Sequence, residues 1–207
     1  MKTLTQSKFD QVIKEGFHEI LRPLGFKKKA NNFYLQLDTL GQIINVQKSA
    51  WGHKDRISFT INIGIFVPEY WLTCDNEDNQ ELPAYPTETQ CLIRKRIGDL
   101  REDQLDTWYE ITESTDEQQV IAEMRNNLTG LILPYFSRLN STEKLLQELD
   151  SADVMMPPLV KLILFGEFKQ FDNAKREYDQ LLSNTKSTNL LLLKDIKEYG
   201  QKYGLDK

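Results

Sequence analysis

Asn45, Gln47, Thr60, Asn62, Arg94 and Arg96 have the side-chain types and spacing that suit ligand chemistry. Each stands at alternate positions of a period-two run, so all six are expected on one face of one sheet, with Trp108 or Tyr109 nearby. Asn and Gln are poor strand formers on an ordinary solvent face, where Thr, Lys and Glu serve better. Carboxamides both donate and accept hydrogen bonds, and a guanidinium offers a planar fork for carboxylate or phosphate. This face therefore suits an anionic or peptide-like ligand. Two alternatives stay open. C-terminal helices could cover the face and leave its polar groups to satisfy one another in a buried network. Arg94 and Arg96 could instead clamp the anionic substrate of a small-molecule enzyme.

Other chemistries find less support. The only histidines are His18, in a helical pattern, and His53, in the loop sequence SAWGHKD. The only cysteines, Cys74 and Cys91, lack a flanking ligand pair, so no structural zinc site is expected. The chain has no Walker loop, no GxGxxG after a strand, no GxSxG elbow and no HExxH. A thiol nucleophile at Cys91 would need His53 as its base, and Cys91 reads better as a small core residue. No catalytic residue, metal or cofactor is assigned.

The elements that position the polar face follow from periodicity. Residues 5–24 carry Phe9, Val12, Ile13, Phe17, Ile20, Leu21 and Leu24 on one helical stripe, with Thr5 or Ser7 as cap and Gly25 as the left-handed stop. Phe33, Leu35 and Leu37 alternate with polar residues, and Gly41 marks a hairpin to a strand with Ile44 and Val46 inward. Ile57, Phe59, Ile61, Ile63 and Ile65 form the cleanest alternation in the chain. A fourth run places Cys91, Ile93 and Ile97 on the core face, with Lys95 as an exception. A fifth short strand spans 107–111 and puts Trp108 and Tyr109 on opposite faces. One apolar and one polar face is the mark of an antiparallel sheet covered on one side.

Residues 116–139 form a second helix, in which Pro134 predicts a kink or break. Further helices are expected over 141–149, from Pro157 to about 168, over 171–182 and over 187–199. The stretch around Phe165, Phe171, Ala174 and Tyr178 is similar to half of a tetratricopeptide-type hairpin. A single such unit reads as an ordinary helical hairpin. Residues 68–88, rich in proline and acid, read as a surface excursion.

The strings LRPLGFKKKANNFY, INVQKS, FTINIGIF, CLIRKRIGDL and DTWYEI together resemble the bacterial domain-of-unknown-function family 4304, over roughly residues 9–113. The resemblance implies a shared α+β fold and a soluble bacterial origin. It implies no catalytic residue.

Charge varies along the chain. The net charge is −5. Residues 1–66 carry 10 Lys/Arg against 5 Asp/Glu, residues 67–115 carry 4 against 12, and the remainder 12 against 14. Lys27, Lys28 and Lys29 make a small basic footprint in an acidic protein, which argues against nucleic acid and for a solubilised edge strand. With 40% apolar residues, no apolar run near 20 residues and no leader-type h-region at the N-terminus, a cytoplasmic protein without membrane segments is expected.

The expected fold is α+β. An N-terminal helix packs on a four- to five-stranded, mainly antiparallel sheet over 1–115, and a helical segment over 116–207 lies on or beside it. The expected function is non-catalytic binding, with an unidentified protein or a small anionic ligand as partner. The candidate contact set is Asn45, Gln47, Thr60, Asn62, Arg94, Arg96 and Trp108.

Overall fold

The computed structural model describes residues 2–51, 55–74, 81–151 and 156–206. His53 and most of the acidic run after Cys74 lie outside the described residues. Described residues fall into two compact units, 1–67 with 83–140, and 68–82 with 141–207. The helix following residue 116 thus belongs with the sheet, whereas the sequence pattern groups it with the later helices.

The first unit holds a sheet of six described strands, all paired antiparallel: β1 (Lys27–Lys29), β2 (Asn32–Gln36), β3 (Gly41–Lys48), β4 (Arg56–Phe66), β5 (Ile93–Arg96) and β6 (Tyr109–Thr112). Strand order is β1-β2-β3-β4-β5, and β6 also pairs with β4. The eleven-residue β4 is the spine. Its first half pairs with β6 and its second half with β5, so the two short strands lie end to end along one edge. The three lysines are themselves the exposed edge strand β1, where charge discourages pairing with another chain.

Register fixes the faces. Ile44 lies opposite Ile63, Val46 opposite Ile61, and Phe33 opposite Ile44; all are buried. This apolar face is covered from two directions. Phe9 meets Phe59 edge to face at 5.4 Å between ring centroids, and Phe17 stacks on Phe33 at 5.9 Å. Both come from the helical run 4–24, whose stripe Phe9, Val12, Ile13, Phe17 and Leu21 is buried. Its cap is Thr3, whose hydroxyl accepts from the Gln6 amide. The two expected caps lie past that point: Thr5 is buried, and Ser7 bonds back to the Thr3 carbonyl. Gly25 ends the run at φ +91°, a left-handed conformation that suits glycine.

The second cover is the helical run 117–138. Asp116 caps it by accepting from the Gln118 and Gln119 amides. Gln42 donates its amide to the Phe136 carbonyl at 3.0 Å, and Asn127 donates to Tyr109 Oη at 2.9 Å. The chain does not break at Pro134. A π-helical turn at Leu128–Ile132 precedes it, and Pro134 falls in the first turn of the segment Leu133–Arg138, where its missing N–H is tolerated.

The second unit is helical: Pro68–Cys74, Thr142–Ser151, Val160–Glu167, Phe171–Asn184 and Leu190–Tyr203. The helix at Pro68–Cys74 corrects the expected surface excursion at its start. Pro68 and Glu69 suit a first helical turn, and Trp71 is buried. No helix of the described residues is long and apolar enough to cross a membrane.

Candidate functional site

The opposite face of the sheet carries the polar side chains. Asn45 lies opposite Asn62, Gln47 opposite Thr60, Arg96 opposite Asn62, and Arg94 opposite Gly64. These cross-strand pairs place the carboxamides within mutual reach, and they form a directional ladder. Arg96 Nε donates to Asn62 Oδ1 at 3.3 Å. Asn62 Nδ2 donates both to Asn45 Oδ1 at 3.1 Å and to Gln47 Oε1 at 2.7 Å. Asn45 Nδ2 donates to Asn32 Oδ1 at 2.7 Å, and Asn32 Nδ2 reaches the Lys29 carbonyl at 3.4 Å. The ladder crosses β5, β4, β3 and β2 to β1. It fixes which way each amide points and so what each has left to offer.

The face is not closed. It lines an open cavity of about 450 Å³ bounded by Asn32, Asn45, Gln47, Asn62, Arg94 and Arg96, with Thr87, Glu88 and Thr89 on the far wall. That volume falls within the usual range of roughly 300–1,000 Å³ for small-ligand sites, although such sites are mostly apolar. A polar lining calls for a polar occupant. In the helical unit a larger cavity of about 590 Å³ lies by the connection between helices 171–184 and 190–203. Its lining holds one charged side chain, Lys186. The sheet cavity is the stronger candidate because several oriented polar groups converge there.

The far wall is a single turn of 3₁₀ helix, Glu88–Gln90. Thr87 caps it, with the Gln90 side chain accepting from the Thr87 amide at 2.8 Å. Two contacts hold the turn against the sheet. Cys91 packs over Gly64, where an added Cβ would lie 2.4 Å from the thiol sulfur. Glu88 accepts from Arg94 Nε at 2.7 Å and from Nη2 at 3.4 Å. Cys91 therefore sits on the polar side of the sheet and not on the core face with Ile93 and Ile97. The reason is that the strand begins only at Ile93, so alternation does not extend back to 91. Burial, with the nearby Glu88 charge, raises the Cys91 thiol pKa well above its ordinary value, which opposes a nucleophilic role.

Both arginines arrive already paired. Glu88 is 9% exposed, and its hydrogen bond raises the Arg94 guanidinium above its ordinary pKa. Arg96 Nη1 donates to Asp106 Oδ1 at 2.9 Å, while Asp106 Oδ2 accepts from Trp108 Nε1 at 3.1 Å. These bonds, from Arg96 first and Trp108 second, lower the Asp106 carboxyl. The Arg96 guanidinium also lies 5.6 Å from the Trp108 ring centroid, a cation–π arrangement that sets its plane. The two cations face two carboxylates, and the local field is close to neutral.

Five of the seven expected contact residues line the cavity: Asn45, Gln47, Asn62, Arg94 and Arg96. Thr60 is fully buried and donates to the Thr107 carbonyl at 2.8 Å, which ties the segment before β6 to the middle of β4. Trp108 lies outside the lining and acts through Arg96 and Asp106. Sequence reasoning missed Asn32, Thr87, Glu88 and Thr89. Asn32 was legible as the cross-strand partner of Asn45 once the hairpin register is counted. Thr87 and Gln90 carry a capping-box spacing that marks the turn. Nothing local singles out Glu88.

Among the described residues no group of three His, Cys, Asp or Glu side chains is placed to hold a metal ion. No curated protein and no solved structure matches the chain. A family model described as Domain of unknown function (DUF4304) matches residues 17–138. That match covers more than half of the chain and contains the whole cavity lining, the sheet and the helical run 117–138. The chain belongs to the DUF4304 family of domains of unknown function.

Proposed function

We propose that this chain is a cytoplasmic bacterial binding or protein-interaction module without catalytic activity, and that the polar sheet face is the surface it uses. The observation that carries this reading is the open 450 Å³ cavity lined by the oriented amide ladder. A polar sheet face serving stability alone would satisfy its groups against a cover. Here Gln47 Nε2, Arg94 Nη1 and Arg96 Nη2, all on residues that line the cavity, have no hydrogen-bond partner among the described residues. Thiol inertness at Cys91 and the pairing of both arginines weigh against the enzymatic alternative, in which those arginines hold an anionic substrate.

Native mass spectrometry of the full chain, purified from its own host, tests the reading. The expected result is a bound small molecule or partner that is retained by the wild type. Gln47→Ala, which removes an exposed side chain, should lose it while the fold survives. A bare protein mass under conditions that preserve other complexes would overturn the proposal.

A further inference from the structure

We infer that the sheet cavity recognises an uncharged carboxamide, the group found in peptide units and amide-bearing metabolites, and not an anion. The inference rests on the binding reading above and names the ligand class of that same site.

The ladder supplies the argument. It runs from Arg96 through Asn62 and then forks to Asn45 and Gln47. The Asn45 branch ends on the Lys29 carbonyl by way of Asn32. The Gln47 branch does not end. Its Oε1 is taken by Asn62, which fixes the amide orientation and leaves Nε2 as a donor in the cavity lining. On the far wall Glu88 Oε2 accepts only a long bond of 3.4 Å from Arg94 Nη2, so it retains accepting capacity. A carboxamide carries the complementary acceptor and donor for these two lining residues. The ligand carbonyl accepts from Gln47 Nε2, its N–H donates to Glu88 Oε2, and the ladder is extended by one amide.

An anion fits poorly for a separate reason. To use the Nε–Nη2 edge of Arg94 it must displace Glu88, whose carboxylate would then be left nine-tenths buried without its counter-ion. To use Arg96 it must approach the fixed charge of Asp106. The arginines serve as polarised donors whose charge is already cancelled.

The test is a titration of the full chain followed through the side-chain NH₂ signals of Asn45, Gln47 and Asn62 and the Nε–H signals of Arg94 and Arg96. The probes are N-acetylglycinamide and the N-acetylglycine anion, in which a carboxylate replaces the terminal carboxamide. N-acetylglycinamide is expected to shift the Gln47 and Arg94 signals, with the anion at least tenfold weaker. In Glu88→Gln, which bares the Arg94 charge, that preference should reverse. An acetyl-tetraglycine amide separates the sources: at least tenfold tighter binding than the single amide identifies a peptide segment, and equal binding identifies a small free amide. Gln47→Ala should abolish the response to both uncharged probes while keeping the wild-type backbone spectrum. Tighter binding of the anion by the wild type overturns the carboxamide inference and leaves the binding module standing. No response of the cavity signals to any probe overturns the inference, and a bare mass in the native spectrum then removes the binding reading as well.

Discussion

Asn62 is the branch point of the amide ladder, and its surroundings define what a single side chain can be asked to do. Its two amide hydrogens serve Asn45 and Gln47, its oxygen takes Arg96 Nε, and it is 7% exposed. Asn62→Ala strands three partners at once. The expected loss is about 1–3 kcal/mol in chemical denaturation, because three hydrogen bonds worth about 0.5–1.5 kcal/mol each are lost and their partly exposed partners regain some water. Gly64 tests the seating of the far wall. Gly64→Ala places a methyl against Cys91 and should cost about 1–3 kcal/mol by overpacking. Cys91→Gly in the same chain removes the obstructing atoms, so the double variant should be less damaged than the two single losses predict. Additive losses would mean that the turn carrying Glu88 is not held there by this contact.

At the scale of elements, the helix Pro68–Cys74 shows how local polarity misleads. The prolines and acids of residues 68–88 read as a loop, yet the helix at their start packs on the helix Val160–Glu167 within its unit. The partner lies about ninety positions away in sequence, and no local pattern announces it. Glu69 on this helix gives the element a pH signature. Burial raises its carboxyl above the ordinary 4.5, Glu167 adds to the effect, and a hydrogen bond from its own backbone N–H opposes it. Its Oε2 is buried without a hydrogen-bond partner among the described residues. The folded state thus holds this proton more tightly than the unfolded chain does, so the ionised Glu69 carboxylate destabilises the fold at neutral pH, an effect that fades as pH falls toward 4.5. Glu69→Gln should therefore raise the thermal midpoint at pH 7 and lose that advantage near pH 4.5. Glu167 works in the opposite sense. Burial raises its carboxyl, but the Lys202 and Tyr203 hydrogen bonds outweigh this and hold it low. Its contribution is present above 4.5 and disappears below that value. Melting curves between pH 3.5 and 7.5 separate the two.

For the whole molecule, periodicity made the α+β class and the antiparallel sheet legible, because each strand and each helix buries one face of its own pattern. Strands with alternating residues, such as Arg56–Phe66, were readable for that reason. The grouping of elements was less so. Helix 117–138 buries its apolar stripe, with Met124 against Gly16 of the N-terminal run, and reaches the sheet through Gln42 and Asn127; no local pattern announces these distant partners. The site followed the same rule. The strand residues Asn45, Gln47, Asn62, Arg94 and Arg96 shared a face by parity, whereas Glu88 came from a turn whose placement depends on Cys91 meeting Gly64. The division into units makes a prediction of its own. A chain ending at residue 140 retains the sheet unit but strips the segment 68–82 of the helices in its unit. Limited proteolysis of that truncated chain should cut within the helix 68–74 at least tenfold faster than in the full chain, while the sheet unit resists. Equal rates would mean that this helix gains nothing from the later helices.

The central claim is that the polar face of the sheet is a ligand site, and the side-chain amide spectrum of the full chain reads it most directly. The chain is titrated with the extract of its host, first the fraction below about 1 kDa and then the protein fraction. The account predicts saturable shifts concentrated on the NH₂ signals of Asn45, Gln47 and Asn62, lost in Gln47→Ala. Unmoved ladder signals would contradict it, as would shifts confined to residues outside the cavity.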